Sequence, residues 1–352
     1  MTTFIQLHFL TAYPPANLNR DDTGQPKTAQ FGGTTRLRVS SQSLKRAWRT
    51  SEVFAAALSG HLGHRTQRLG RDIREHLLEK GAEEKAAVTI ARTVADLFGK
   101  LKSDKEEGDK ALYIEQLAFI SPDERKAAID LADRLLAGEA PNKLDSAQVL
   151  KATDGAVDIG MFGRMLADDP DFNREAAVQV SHAITTHTVL TEDDYYTAVD
   201  DLKTKADDAG AGFVGEAGFG AGLFYLYICI DRDLLVHNLG GAQSESIARI
   251  GIAALIEAAA KVSPKGKQAS FASRARASFI LAEKGDATPR TLASAFLKPV
   301  RGEDFLKESV ARLQNTRQDF ATAYGDAPAH CTLDVHASDG TTLATLIDFA
   351  AG

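Results

Sequence analysis

An α+β fold is predicted for this chain of 352 residues by three observations. Residues 3–10 alternate, with Ile5, Leu7 and Phe9 on one face and Gln6 and His8 on the other, as a strand does. SSQSLKRAWRTSEVFAAAL and SESIARIGIAALIEAAAKV carry apolar residues at helical spacing behind serine caps. The principal segments then fall in the order β (3–10), α (41–58), β (177–189), β (223–230), α (244–262), β (276–282), which is the ferredoxin-like βαββαβ order.

Element by element, a long polar loop, PPANLNRDDTGQPKTAQFGG, follows the first strand; loops of that length are functional or disordered. Thr35, Leu37 and Val39 alternate with Arg36 and Arg38 in a short strand with a basic face. The helix over 40–58 takes Ser40 or Ser41 as its cap. From His61 to Leu150 the pattern is helical and charged, with EEKAAVTIARTVADLF and ERKAAIDLADRLL amphipathic and a solvated run over 100–110 between them. AVQVSHAITTHTV (177–189) is β-branched and reads as a strand. A hairpin crowded with Gly210, Gly212, Gly215, Gly218, Gly220 and Gly222 comes next, then the buried strand LFYLYICI. Ser244 or Ser246 opens the helix over 244–262, RASFILA is a strand, Pro289 starts another helix and 303–324 form a longer one.

Composition is that of an ordinary globular protein, 44% hydrophobic and 25% charged, and the chain is long enough to bury a core without staples. Cys229 and Cys331 are far apart, which excludes a disulfide framework or a CxxC metal site and fits a reducing compartment. MTTFIQLHFLTAYPP lacks the basic start and small residues of a signal peptide, and no apolar run reaches membrane-spanning length. A soluble, cytoplasmic chain with no membrane partner is expected.

Net charge is −7, which taken alone argues against a polyanionic partner. Its distribution argues otherwise. Thr23–Ser51 contains no Asp or Glu but holds Lys27, Arg36, Arg38, Lys45, Arg46 and Arg49; Ala258–Ala282 is likewise acid-free and holds Lys261, Lys265, Lys267, Arg274 and Arg276. Within the first window Leu44, Ala47 and Trp48 share one helical face, leaving Lys45, Arg46 and Arg49 opposite with no acid to neutralise them. Ser40, Ser41 and Gln42 stand at the helix N-terminus, where free N–H groups and the dipole favour an anion. The glycine-rich hairpin offers Tyr196, Phe213, Val214 and Phe219 as apolar tips suited to wedging between bases. The turn at Lys265, Gly266 and Lys267 lets backbone approach a phosphate.

Hydrolytic and metal signals are thin. His182 and His187 are expected on opposite faces of one strand, and HExxH, P-loop, nucleophile-elbow and post-strand GxGxxG motifs do not occur. Asp21 and Asp22 could hold a divalent ion but read as turn residues, and Asp193–Asp194 and Asp200–Asp201 read as exposed turn or strand-end charges. No catalytic residue, metal or cofactor is assigned.

LNRDD and FGG, then SSQSLKRAWR, VDIGMFGRM, SHAITTH, YTAVDDL, GLFYLY, NLGGA and GKQASFA in that order resemble the backbone subunit of type I-E Cascade, the CRISPR RNA-guided surveillance complex (the CasC-type, RAMP-superfamily protein). The resemblance runs from Phe4 to Ala272 and is weakest over 61–150. It implies a hand: a ferredoxin-like, RRM-like palm (1–60, 151–189 and 223–352, the last with C-terminal helices), helical fingers (61–150) and a β-hairpin thumb (190–222). It also implies a non-enzymatic subunit that stacks head-to-tail with its copies along a CRISPR RNA, beside other Cascade subunits. The guide bases are left to pair with a target DNA strand in antiviral defence. Carried over by motif, Lys27, Ser40, Gln42, Lys45, Arg46 and Arg49 should hold RNA phosphates. Arg164 and Met165 should lie near an RNA kink, Lys267 should add a basic contact, and Tyr196, Thr197 and Val214 should press against the kinked base. Residues 223–230 lack the aromatic motif of RNA-recognition domains, so bases are not expected to stack on the sheet.

The alternative is a metal-dependent endoribonuclease subunit of the type III backbone kind, with Asp21 or Asp22 at its centre. A third possibility is a protein-only scaffold whose basic islands bind acidic partners.

Overall fold

The computed structural model describes residues 2–142, 145–166, 169–198, 213–337 and 340–352. Gly210 and Gly212 of the expected hairpin, and Asp200–Asp201 at the end of the YTAVDDL motif, lie outside them.

The chain begins with strands β1 (Phe4–Ala16), β2 (Thr28–Phe31) and β3 (Thr34–Val39), followed by helices α1 (Ser41–Arg49) and α2 (Glu52–Ala57). A helical block follows: β4 (His64–Thr66), α3 (Leu69–Glu79), α4 (Glu84–Ala95), β5 (Ala118–Ile120), α5 (Pro122–Leu136) and α6 (Asp145–Val149). Then come α7 (Val157–Phe162), β6 (Val178–Val180), β7 (Ala183–Thr185), β8 (Glu192–Ala198), β9 (Phe213–Asp231), α8 (Arg232–Leu239) and α9 (Ser244–Lys261). The chain closes with α10 (Gln268–Phe271), β10 (Phe279–Gly285), α11 (Phe305–Tyr324), β11 (Ala329–Asp334) and α12 (Leu343–Ala351).

One antiparallel sheet organises the molecule, in the order β11-β10-β1-β9-β7-β3-β2, with β6 and β8 also pairing to β9. Leu7 of β1 faces Ala282 on one side and Ile228 on the other. The alternation in β1 sends Ile5, Leu7 and Phe9 into a main core beneath α1, α2, α9 and α12. Leu10 faces a second layer with Tyr225, Phe279, Leu292, Phe296 and Leu313. That second layer covers the face of the sheet opposite the main core. His8 and Glu283, both fully buried, are linked there at 3.3 Å, and Glu283 also accepts from Arg290 and Arg317 at 2.8 Å each.

Several elements differ from the sequence expectation for identifiable reasons. The helix over 40–58 is two helices, because the Ser51 hydroxyl accepts the Phe54 N–H and starts a new cap. The strand over 177–189 is also two. Pairing shifts from Val180↔Ile228 to Ile184↔Tyr225, a slip of one residue centred on Ser181, whose Oγ accepts the Tyr227 N–H. This bulge turns His182 outward and lets Ala183 enter the core. The strand expected over 276–282 runs instead over 279–285. No helix begins at Pro289. The Arg290 N–H is taken by Gln6 and the Leu292 N–H by Tyr225, so the segment lies on the sheet and makes only a 3-10 turn at Ala293–Phe296.

The helical block has a core of its own, including Leu69, Ile73, Leu77, Ala91, Val94, Leu131 and Leu135. It is tied to the segment after α7 by the buried 2.6 Å ion pair Arg164–Glu124, and a second buried pair of 2.6 Å, Arg174–Asp154, joins that segment to the connection between α6 and α7. Among the described residues no helix is long and apolar enough to cross a membrane.

Candidate nucleic-acid interface

The interface is built around α1. Ser40 caps the helix by accepting the Ser43 N–H, and its own N–H donates to Asn19 Oδ1 at 2.9 Å. Loop 17–27 is thereby fastened to the helix start. Leu44, Ala47 and Trp48 are buried, and no acid stands in the first turn. Arg46 and Gln42 are exposed, while Lys45 and Arg49 are half-buried.

The outward residues divide between two flanks. On one, Ser43, Arg46 and Thr50 line an open cleft of about 520 Å³ with Arg20, Asp21, Asp22, Lys265 and Gly266. Gly266 is required here: a Cβ would lie 2.4 Å from the Leu18 carbonyl oxygen and 2.6 Å from that of Asn17. Lys267 beside it has a left-handed backbone, φ 49°, and is half-buried. The two acid-free windows of the sequence thus meet in one cleft. On the other flank the Lys45 ammonium lies 5.5 Å from the centre of the Phe162 ring, and Arg49 lies 5.0 Å from that of Phe119. Burial lowers the pKa of Lys45 below the usual lysine range.

Not every expected cation is available. Arg36 is fully buried and donates to the Thr185 and Phe296 carbonyls and to Thr34, so it pins the second layer to the sheet. Arg49 is not free of acid, because Asp158 from α7 stands 3.6 Å away; helical spacing could not reveal a partner more than a hundred residues distant. Arg164 is 1% exposed and gives its guanidinium to Glu124 and to the carbonyls of Phe119, Lys151 and Phe172. Buried against those partners, it positions protein and offers no open face to a phosphate. Met165 beside it is 80% exposed and lines a groove with Phe98, Leu117 and Leu166. Ser40 spends its hydroxyl on the cap.

Further residues join the surface that sequence reasoning left unassigned. Arg20 enters the cleft from the LNRDD motif. Arg38 donates to His182 Nδ1 at 3.0 Å, and burial, Arg38 and Lys27 lower the pKa of that imidazole. Lys27, already expected at a phosphate, is half-buried, and its N–H donates to the Asn19 carbonyl within loop 17–27. His187, by contrast, is buried, accepts the Leu223 N–H and stacks on Phe305 at 4.3 Å. The SHAITTH motif was the available signal for His182, and the first acid-free window for Arg38.

In the hairpin, Thr197 pairs with Val214 and Tyr196 with Gly215. Tyr196 (43%) and Val214 (48%) remain exposed, with Phe213 6.1 Å from the Tyr196 ring. At its base, a Cβ on Gly218 would meet Gln25 and Pro26, so the bare backbone lets the strand lie against the loop leading to Lys27.

Asp21 is occupied in its own turn. One carboxylate oxygen accepts from the Thr23 hydroxyl and N–H and from the Gln25 N–H, and the Thr23 hydroxyl leads in lowering its pKa. Among the described residues no group of three His, Cys, Asp or Glu side chains could hold a metal ion.

A family profile described as "CT1975-like protein" matches residues 5–349. The chain belongs to that family. Two solved structures resemble this CT1975-like protein over 99% of both chains. One, from a "CRISPR RNA-guided surveillance complex, pre-nicking", is 30% identical with a TM-score of 0.84. The other, from a "CRISPR RNA-guided surveillance complex", is 26% identical with a TM-score of 0.72. No curated protein matches the chain.

Proposed function

We propose that this protein is a non-catalytic, CRISPR RNA-binding backbone subunit of a Cascade-type surveillance complex, of the type I-E kind. Copies of it stack head-to-tail along the guide and present the bases to target DNA. The observation that carries this reading is the meeting of Arg46 on α1 with Arg20 and Lys265 in one open cleft, which Asp21 and Asp22 also line, on a chain whose net charge is −7. The family match and the two surveillance-complex chains support it.

The sheet order β10-β1-β9-β7 supports a ferredoxin-like palm, with 61–150 as fingers and 190–222 as thumb. Lys27, Lys45, Arg46, Arg49 and Lys267 supply phosphate contacts, Gln42 an amide, and the α1 N-terminus its N–H groups. Ser40 and Arg164 act by positioning. Tyr196, Thr197 and Val214 meet a displaced base, and Met165 adds an apolar contact. Such a surface grips shape and charge while pairing reads sequence.

The test is RNA affinity against salt. With about five phosphates neutralised on a single strand, log K against log[salt] should fall with a slope near −3.5, equal for RNAs of unrelated sequence. A flat plot would refute the proposal. Cleavage of paired RNA that requires Mg²⁺ or Mn²⁺ and is lost in Asp22→Ala would replace it with the endoribonuclease reading.

A further inference from the structure

Asp158, in the first turn of α7, has a fully buried side chain. Its Oδ1 accepts the Gly63 N–H at 2.7 Å, and its Oδ2 has no hydrogen-bond partner. Arg49 Nη1 stands 3.6 Å from that Oδ2, with 19% of the Arg49 side chain exposed and the guanidinium over Phe119. A carboxylate inside the protein survives as an anion only when a cation compensates it.

The surroundings supply little else. From α1 comes Arg49, and the segment before β4 gives the Gly63 N–H. His61 on that segment turns its ring to the Gly155 carbonyl, and β5 offers the uncharged Phe119 ring. Within α7 the backbone N–H groups of Asp158 and Ile159 face the carboxylate, and Lys45 lies over Phe162 at the far end of the helix. Burial raises the pKa of Asp158 to about 6 against the opposing pull of Gly63 and Arg49.

We propose that Asp158 is a positioning residue that restrains Arg49, and that a phosphate engaging Arg49 drives a proton from solvent onto the buried carboxylate. Given the phosphate-gripping role proposed above for α1, the coupling is electrostatic. A phosphate brings a second negative charge to the guanidinium and takes part of its field, leaving Asp158 under-compensated. A buffer acid gives up one proton and becomes its conjugate base, the proton adds to Oδ2, the oxygen without a partner, and no other bond forms or breaks. Binding and protonation are thereby linked, so affinity should rise as pH falls. At neutral pH the carboxylate holds back a cation that the RNA would otherwise use in full.

The experiment is fluorescence anisotropy of the purified protein with a fluorescein-labelled, single-stranded RNA of mixed sequence. It runs from about pH 8 to about pH 5.5, the window spanning the raised carboxyl. Asp158→Asn keeps the acceptor for Gly63 and should bind about threefold tighter near pH 8, with a shallower pH profile than the wild type. The substitution should have no effect in an Arg49→Ala background. Protonation of His182, away from Asp158, is common to both profiles and cancels in their difference. Unchanged affinity and profile in Asp158→Asn, or an effect that persists without Arg49, would overturn the inference. Failure of the wild type to bind RNA at any pH would instead overturn the role proposed for α1. Should Asp158→Asn not fold, calorimetry in two buffers of different ionisation heat compares proton uptake by wild type and Arg49→Ala. Uptake lost with Arg49 supports the linkage, and equal uptake contradicts it.

Discussion

Arg164 and Glu124 face one another at 2.6 Å with both side chains out of solvent. Glu124 completes the capping box of α5 with Ser121 and accepts the Lys151 N–H, so this pair joins the helix start to two distant segments. Arg164→Ala would strand a buried carboxylate. We expect a loss of about 3–5 kcal/mol of stability, measured by denaturant unfolding, with the salt slope of RNA binding unchanged in protein that remains folded. A changed slope would return Arg164 to the phosphate surface.

The two flanks of α1 should behave differently. Arg46 faces the cleft, while Arg49 shares its charge with Asp158. Arg46→Ala should reduce the magnitude of the salt slope by about 0.7, one phosphate on a single strand, and Arg49→Ala by less. Titrations of each variant with two unrelated RNAs check both the order and its independence of sequence.

Gly266→Ala would drive a Cβ against the Leu18 and Asn17 carbonyls. Backbone on both sides must shift, at about 1–3 kcal/mol, and the cleft wall moves with it. A lower Tm together with weaker RNA binding is expected. Weaker binding should be absent from Lys261→Ala, whose ammonium pairs with Glu257 at 2.5 Å.

Glu283 gives the pH dependence of stability a definite sign. Burial works to raise its pKa, but the hydrogen bonds from His8 and Arg290 overcome this and hold it well below the usual carboxylate range. A depressed folded pKa contributes stability above the unfolded value, about 4.3 for Glu, and that contribution is lost as pH falls through the folded value. Thermal melts should show Glu283→Gln far less stable than wild type at neutral pH, with the gap narrowing below about pH 4. A constant gap would contradict the assignment.

Much of this architecture could be read in the sequence because it is periodic. The alternation of Ile5, Leu7 and Phe9 and the spacing of Leu44, Ala47 and Trp48 are local, and both point into the core as expected. What could not be read depends on partners distant in the chain. Ser181 introduces a bulge only because its hydroxyl reaches Tyr227. Pro289 begins no helix because Gln6 and Tyr225 claim the next N–H groups. The site divides in the same way. The acid-free stretch of sequence that holds α1 could be counted, and it led to Arg46 in the cleft. The burial of Arg36 and Arg164 and the approach of Asp158 to Arg49 are tertiary facts that charge counting cannot supply.

The position of the nucleotides on the protein is the most direct test of the α1 cleft. Photocrosslinking of the protein to a 4-thiouridine-substituted RNA, followed by peptide mapping, should place adducts on the peptides carrying residues 41–49 and 264–268, alike for RNAs of unrelated sequence. Adducts confined to other surfaces, with these two peptides unmodified, would contradict it.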